Sequence, residues 1–470
     1  MHTGLAWIDD NTPQLIALAQ EIWEYAEVGL VERRSAAAQA DYLSGEGFRV
    51  QLGVAGMPTA LVASFGQGKP VIGYLGEYDA LAGVSQKAVP YRDPLHEGAP
   101  GHGCGHNLLG VGSMASAVAL KREIEAGHAQ GTVRYYGCPA EETASGKVWM
   151  AKYGLFDDLD AAITWHPMEL NCARWGSNLA VNSARFAFHG RTAHAAAAPH
   201  MGISALDAVE LMNVGVNYLR EHIIQEARIH YVITKGGGQP NVVPAEAEVW
   251  YYVRAPRRQE MEEIYQRVIK IAEGAAMMTG ATLDVKFIEG SHNYLPNDVV
   301  TEVLEESLRR VGPPKFTEEE KAFAHEIEKS FDPGQKAAVL RSSHIPQEYW
   351  GLSLHEDVAP AFNKGLVSPG SSDVADVSWI TPTGEITACT WVVGTAGHSW
   401  QVTAASGMGI GHKGMITAAK AMALAGFELM TKPELLQKAK AAYLKDTGGK
   451  PYVSPLPAEM IAPSDQFEER

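Results

Sequence analysis

The sequence predicts an α/β protein, a central sheet flanked by helices and interrupted by an inserted lid unit. Three observations support this. Short apolar runs bounded by Gly, Pro or polar residues alternate with helical stretches near both ends of the chain. Residues 182–291 read as strand, helix, two strands, helix and strand, a complete ferredoxin-like β-α-β-β-α-β unit. Ligand-type side chains recur just beyond the carboxyl ends of predicted strands, where open α/β sheets place their sites.

In chain order, residues 13–28 form a helix with Leu15, Leu18, Ile22 and Tyr25 on one stripe and Pro13 in the first turn. Strands are expected at 59–65, 71–75, 132–137, 161–165 and 386–394, with helices at 107–125 and 145–153 between them. The inserted unit has strands at 181–189, 229–234, 246–254 and 282–288, and helices at about 202–221 and 258–278. Its third strand alternates Ala247, Val249, Tyr251 and Val253 on one face. The domain division that follows is 1–181 with 292–470 for the larger domain and 182–291 for the insertion. Residues 313–365, rich in charge and Pro, read as mixed helices and loops.

Composition narrows the function classes. The 470 residues are 46% hydrophobic and 20% charged, and 39 basic against 55 acidic side chains leave a net charge of −16. A surface that negative repels phosphate backbones, so no nucleic-acid partner is expected. No apolar run approaches the roughly 18 residues that span a bilayer, so no membrane partner is expected either. The first ten residues lack a basic leader and an apolar core, and four cysteines are too few for a disulfide scaffold. A cytoplasmic protein with reduced thiols is the expectation.

Five segments carry the candidate chemistry. Glu77 and Asp79 follow strand 71–75, and Gly101–Asn107 offers His102, Cys104 and His106 at a helix entry. Glu141 and Glu142 follow strand 132–137, His166 follows strand 161–165, and His398 follows strand 386–394. Thiolate, imidazole and carboxylate together suit zinc or manganese. Cys104, His106, Glu142, His166 and His398 exceed what one tetrahedral ion needs and suit two ions. In an extended segment Glu141 and Glu142 point in different directions, so one can bind metal while the other serves as general base. Isolated histidines such as His2, His128, His222, His230 and His325 read as surface or structural groups, and Cys138 and Cys172 as buried thiols. Gly409–Gly414 fits G-x-G-x-x-G, but the 56 residues after it leave no room for a dinucleotide fold. No G-x-S-x-G occurs, which argues against a serine hydrolase.

Gly-Glu-Tyr-Asp-Ala-Leu, Gly-His-Gly-Cys-Gly-His-Asn, Pro-Ala-Glu-Glu-Thr, Trp-His-Pro, Arg-Thr-Ala-His-Ala-Ala-Ala-Ala-Pro-His and Gly-Thr-Ala-Gly-His occur in that order. Together they resemble the M20 metallopeptidases and amidohydrolases, over residues 10–430. The resemblance implies a metallopeptidase-type catalytic domain, Cys104, His106, Glu142, His166 and His398 as ligands of two divalent ions (Mn or Zn), and Glu141 as catalytic base. It makes the insertion a lid and dimerisation domain, with His194 reaching the site of the partner subunit of a homodimer. Asn241 and Arg254 fall where relatives hold substrate polar groups. Many family members have His-x-Asp where this chain has Glu77-Tyr-Asp79, so the ligand set is the cysteine-containing one and Asp79 orients ligands instead of binding. The implied activity is hydrolysis of the amide of an N-acyl or N-aroyl amino acid, p-aminobenzoyl-glutamate foremost, a step in folate catabolism. The alternatives are another acyl-amino-acid conjugate, a dipeptide, or a metal-binding subunit that needs a companion. The run Ser371–Trp379 is assigned no role beyond shaping the crevice.

Overall fold

The computed structural model describes residues 1–463. The strands, in chain order, are β1 (Arg49–Leu52), β2 (Leu61–Gly66), β3 (Val71–Gly76), β4 (Thr132–Gly137), β5 (Ala161–Met168), β6 (Cys172–Ala173), β7 (Ser177–Asn178), β8 (Ala180–His189), β9 (Arg228–Lys235), β10 (Glu246–Ala255), β11 (Thr282–Ser291), β12 (Val367–Ser368) and β13 (Thr383–Cys389). Seven of them form one sheet in the order β1-β2-β4-β3-β5-β13-β6. Its centre, β4-β3-β5-β13, is parallel, and antiparallel pairs close both edges.

The parallel centre is buried on both sides, which is why its strands read as continuous apolar runs. Helices His106–Glu125 and Gly409–Thr431 pack against it and against each other, buried around most of their circumference. The sharp entry to the first of these helices requires glycine. Gly105 has φ +75°, and a Cβ there would sit 2.9 Å from Pro167. That close approach brings His106 against the end of β5.

The last strand is shorter than the expected 386–394. Its neighbour β5 ends at Met168, paired with Cys389, so no ladder continues beyond that point. Val392 and Val393 are buried in a loop instead. The region 313–365 contains helices Glu318–Glu328 and Gln335–Ser342 joined by loops.

The second sheet, β11-β8-β10-β9, is antiparallel and carries helices Ala205–Leu219 and Arg258–Thr279 over a separate apolar core. The chain crosses between the two domains around Leu179 and again at His292–Leu295. The run Ser371–Trp379 fastens both crossings. Ser371 Oγ donates to Leu179 O at 2.8 Å, and Trp379 Nε1 donates to Asn293 O at 2.7 Å. Asp376 accepts from His292 N at 3.0 Å, and Ser378 Oγ accepts from Leu295 N at 2.9 Å. Its small hydroxyls and carboxylates therefore satisfy backbone groups that leave the sheets without strand partners. No helix among the described residues is long and apolar enough to cross a membrane.

Burial raises the carboxyl of Asp376 from the usual 3.8 to about 7, and its bonds to His292 and Tyr452 only partly offset this. The native state therefore holds a proton that the unfolded chain releases near pH 4. Stability from this group is present below about pH 4 and is lost as pH rises through about 7. Asp376→Asn is expected to flatten that part of the profile, so the urea midpoint falls less between pH 5 and 7.5 in the variant than in the wild type.

Candidate metal centre

The four parallel strands deliver the ligand-type residues to one edge. The turn after β3 carries Glu77 and Asp79, and β5 carries His166 near its end. After β4, Ala140 adopts a left-handed conformation (φ +56°) and Glu141–Ala144 forms a single helical turn. Glu141 and Glu142 thus diverge by helical rotation, not by the alternation of an extended segment. Ala140 N donates to the buried Glu32 at 2.7 Å, which holds this turn in place.

Cys104 Sγ lies 3.6 Å from His166 Nε2, and His166 Nδ1 is bound to Pro167 O at 2.7 Å, leaving Nε2 aimed at the thiol. His106 Nδ1 is 2.9 Å from Asp79 Oδ1, and Asp79 Oδ2 accepts from Glu142 N at 2.9 Å. Asp79 therefore fixes the ring of one histidine and the backbone of the adjoining glutamate together, an orienting role. Glu142 Oε1 is 3.9 Å from His106 Nε2 and 3.4 Å from His398 Nε2, a position between two groups of donors. His398 reaches it from a loop, with φ +56° and its backbone N donating to Gly103 O.

These donors fall into three overlapping groups: Cys104 with His106 and His166, Cys104 with Glu142 and His398, and Glu77 with His106 and Glu141. Three of their atoms, Glu77 Oε2, His106 Nε2 and Glu142 Oε1, are buried without a hydrogen-bond partner. Buried polar atoms are almost always paired. Three orphans facing one space, from residue types that bind zinc and manganese, fit divalent cations at this position. The electrostatics agree. Burial first and Glu142 next push the Glu141 carboxyl well above its ordinary range, and burial likewise raises Glu142 and the Cys104 thiol. Concentrated negative charge of this kind calls for a cation.

One cation is already built in. Lys147 is completely buried, with Nζ 2.6 Å from both Glu77 Oε1 and Asp373 Oδ1, while its backbone N donates to Asp373 Oδ2 at 2.8 Å. It turns Glu77 Oε2 toward His106 Nε2 at 3.2 Å. Neither Lys147 nor Asp373 stands out in the sequence as a functional residue. The signal available for Lys147 was a lysine inside an apolar run, Gly146–Ala151, with no exposed face to occupy.

The cluster lines a cavity of about 600 Å³, a volume suited to a small-molecule ligand. Arg254 of β10 lines it too, with Nη1 donating to Ser371 Oγ at 2.8 Å and Nε buried without a partner. His194 and Asn241 do not line it. Both are exposed and adjacent, Ala195 N donating to Asn241 O, and His194 Nδ1 accepts from Ala196 N and Ala197 N. His102 is buried against Ile22 O, away from the donor groups. From the region 313–365, Val339, Ile345 and Phe362 form part of the wall.

Residues 180–277 match the peptidase dimerisation domain of the M20 family. The chain is 42% identical to a p-aminobenzoyl-glutamate hydrolase of Escherichia coli K12, the second of that enzyme's two subunits, in an alignment covering 97% of each. The chain belongs to the M20 family. It is an amidohydrolase of that family. A second relative, the Xaa-Arg dipeptidase of Mus musculus, is 26% identical over 93% of this chain and 90% of its own length. Among solved structures, a dinuclear metal binding M20 peptidase from Bacillus subtilis superposes with a TM-score of 0.60 at 17% identity. That match covers 90% of this chain and 99% of the other, and it shows the M20 fold.

Removing the buried lysine leaves Glu77 and Asp373 facing each other uncompensated. Lys147→Met is therefore expected to destabilise the protein by about 3–5 kcal/mol, as loss of one partner from a buried ion pair does. Urea unfolding of wild type and variant at pH 7 measures this, and an unchanged midpoint would show that the triad is not ionised.

Proposed function

We propose that the protein hydrolyses the amide of an N-aroyl or N-acyl amino acid, with p-aminobenzoyl-glutamate cleaved to 4-aminobenzoate and glutamate as the leading substrate. The observation that carries this reading is the placement of Glu141 beside the orphaned donors, on the wall of a cavity large enough for such a conjugate. The extent of identity with the Escherichia coli hydrolase supports the choice of substrate.

Two divalent cations, manganese or zinc, held by Cys104, His106, Glu142, His166 and His398, would supply Lewis-acid polarisation of the amide carbonyl and a more acidic water. Glu141 Oε takes the proton of the attacking water and returns it to the leaving nitrogen. Its burial among other carboxylates suits this work, since a raised proton affinity makes it an effective base. Arg254 offers its unpartnered Nε to a substrate carboxylate, with Ser371 holding the guanidinium in place. His194 completes the site from the partner subunit and stabilises the developing oxyanion, with Asn241 beside it.

Dimerisation through the inserted domain is supported by the lid surface. Leu211, Val214 and Tyr218 are exposed on helix Ala205–Leu219, and Val232 and Ile233 are exposed on the edge strand β9. An edge strand with apolar side chains is a natural seat for a second copy.

The direct test is release of 4-aminobenzoate from p-aminobenzoyl-glutamate by the manganese-loaded protein, followed by its absorbance. Release abolished by a chelator is the expected result. Silence with metal bound would shift the reading to another acyl-amino-acid substrate or to dependence on a companion subunit. Glu141→Ala is expected to retain its metal by elemental analysis while losing at least about 100-fold in kcat, the usual contribution of a general base. A near-normal kcat would remove Glu141 from the reaction. His194→Ala is expected to be nearly inactive alone and to regain activity on subunit exchange with Glu141→Ala, because one hybrid site is then intact. No recovery in proven heterodimers would mean that His194 does not act across the interface.

A further inference from the structure

The cavity contains a second buried carboxyl that the reaction does not use. Glu169 lies just after β5, three residues beyond His166, and lines the same cavity as Cys104 and His166. It is 2% exposed, and its Oε1 has no hydrogen-bond partner. No ion pair to it occurs among the described residues, so nothing neutralises it. Trp391 borders the cavity beside it, is itself buried, and its indole N–H is likewise without a partner. Met168, Leu170, Ile345 and Phe362 supply apolar wall to the same cavity.

The backbone around Glu169 is held on both sides. Met168 O accepts from Thr390 N at 2.8 Å, and Leu170 O accepts from Thr387 Oγ1 at 2.7 Å. The carboxyl is therefore presented by a rigid segment, as a specificity group should be. Burial raises its pKa, and its own backbone N–H and the nearby indole draw it only partway back. An acceptor and a donor left unpaired in a closed, apolar-walled space carry a desolvation cost that a ligand with matching polarity relieves.

We propose that Glu169 and Trp391 form the distal end of the acyl subsite, with Glu169 accepting a hydrogen bond from an amino group on the far end of an aroyl substrate. Three residues of extended chain separate Glu169 from His166, at most about 10 Å, a span that a para-substituted benzoyl group can bridge. The aniline N–H donates to Glu169 Oε1, and its nitrogen lies where the Trp391 N–H can reach it. An unsubstituted benzoyl ring would bury both protein groups unpaired, so the site discriminates by leaving that cost unrelieved. The inference rests on the aroyl-amino-acid reading above and adds the reason for a para-amino preference.

The experiment compares kcat/KM for p-aminobenzoyl-glutamate and benzoyl-glutamate in the manganese-loaded wild type, Glu169→Met and Glu169→Gln. The wild type is expected to prefer the amino substrate by at least about 10-fold, the worth of one buried hydrogen bond to a charged group. Glu169→Met should reduce that preference to within about 3-fold, with benzoyl-glutamate turnover little changed. Glu169→Gln, which keeps the shape and an acceptor oxygen but loses the charge, should fall between and serves if the methionine variant does not fold. A purely structural role would lower both substrates together, and that outcome overturns the proposal. Equal wild-type rates on both substrates overturn it as well, while leaving the aroyl-amino-acid hydrolase reading standing. No release from either substrate overturns both readings together.

Discussion

Negative charge gathered at the carboxyl edge of the parallel sheet is the constraint around which the rest of the molecule is arranged. Glu77, Asp79, Glu141, Glu142 and Asp373 are brought together with a thiol and two imidazoles in a space largely closed to water. Carboxylates this close cannot all ionise unless cations accompany them. Lys147 is the permanent counter-charge, completely enclosed and clamped between Glu77 and Asp373. The remaining excess falls on the donors that face one another, which is what makes the edge receptive to divalent ions.

Each supporting element can be understood from that requirement. The glycine turn at 105 brings His106 close to β5, the left-handed Ala140 turns Glu141 and Glu142 inward, and the left-handed His398 reaches Glu142 from a loop. Asp79 ties two of these segments together through one carboxylate. Behind them, Ser371–Trp379 joins the charge cluster to the hinge. Asp373 belongs to the lysine triad, whereas Ser371, Asp376 and Ser378 bind the two crossings into the inserted domain. Ser371 also holds Arg254, so movement of the lid and placement of a substrate-facing cation share one anchor. Lid motion over the crevice is thus mechanically linked to the catalytic edge.

The cavity combines two kinds of recognition. One side is dense with metal-type donors and can act on any amide. The other side, where Met168, Leu170, Ile345, Phe362 and Trp391 surround Glu169, supplies shape and a single polar contact. Selectivity in the M20 family would then depend on loops that vary in length and composition, such as 313–365, more than on the ligands themselves.

Much of this was legible in the sequence because it is local. Apolar runs marked the buried parallel strands, the period of the inserted unit marked its helices and strands, and short motifs at strand ends marked Cys104, His106, Glu141, Glu142, His166 and His398. Strand 386–394 was overextended because Val392 and Val393 are apolar, while the ladder length was set by β5, a segment more than 200 residues away. Lys147 and Asp373 were invisible for the same reason: their meaning lies in a contact between positions 226 residues apart. Glu169 looked like an ordinary acidic residue after a strand, and only enclosure by Trp391 and the 313–365 segment leaves its carboxyl unpaired. The sequence by itself determined the fold class and the donor types, since hydrophobic periodicity and residue chemistry are properties of neighbours along the chain. The tertiary structure alone decided which charges are compensated and which are left waiting for a ligand, because desolvation depends on everything that closes around a group.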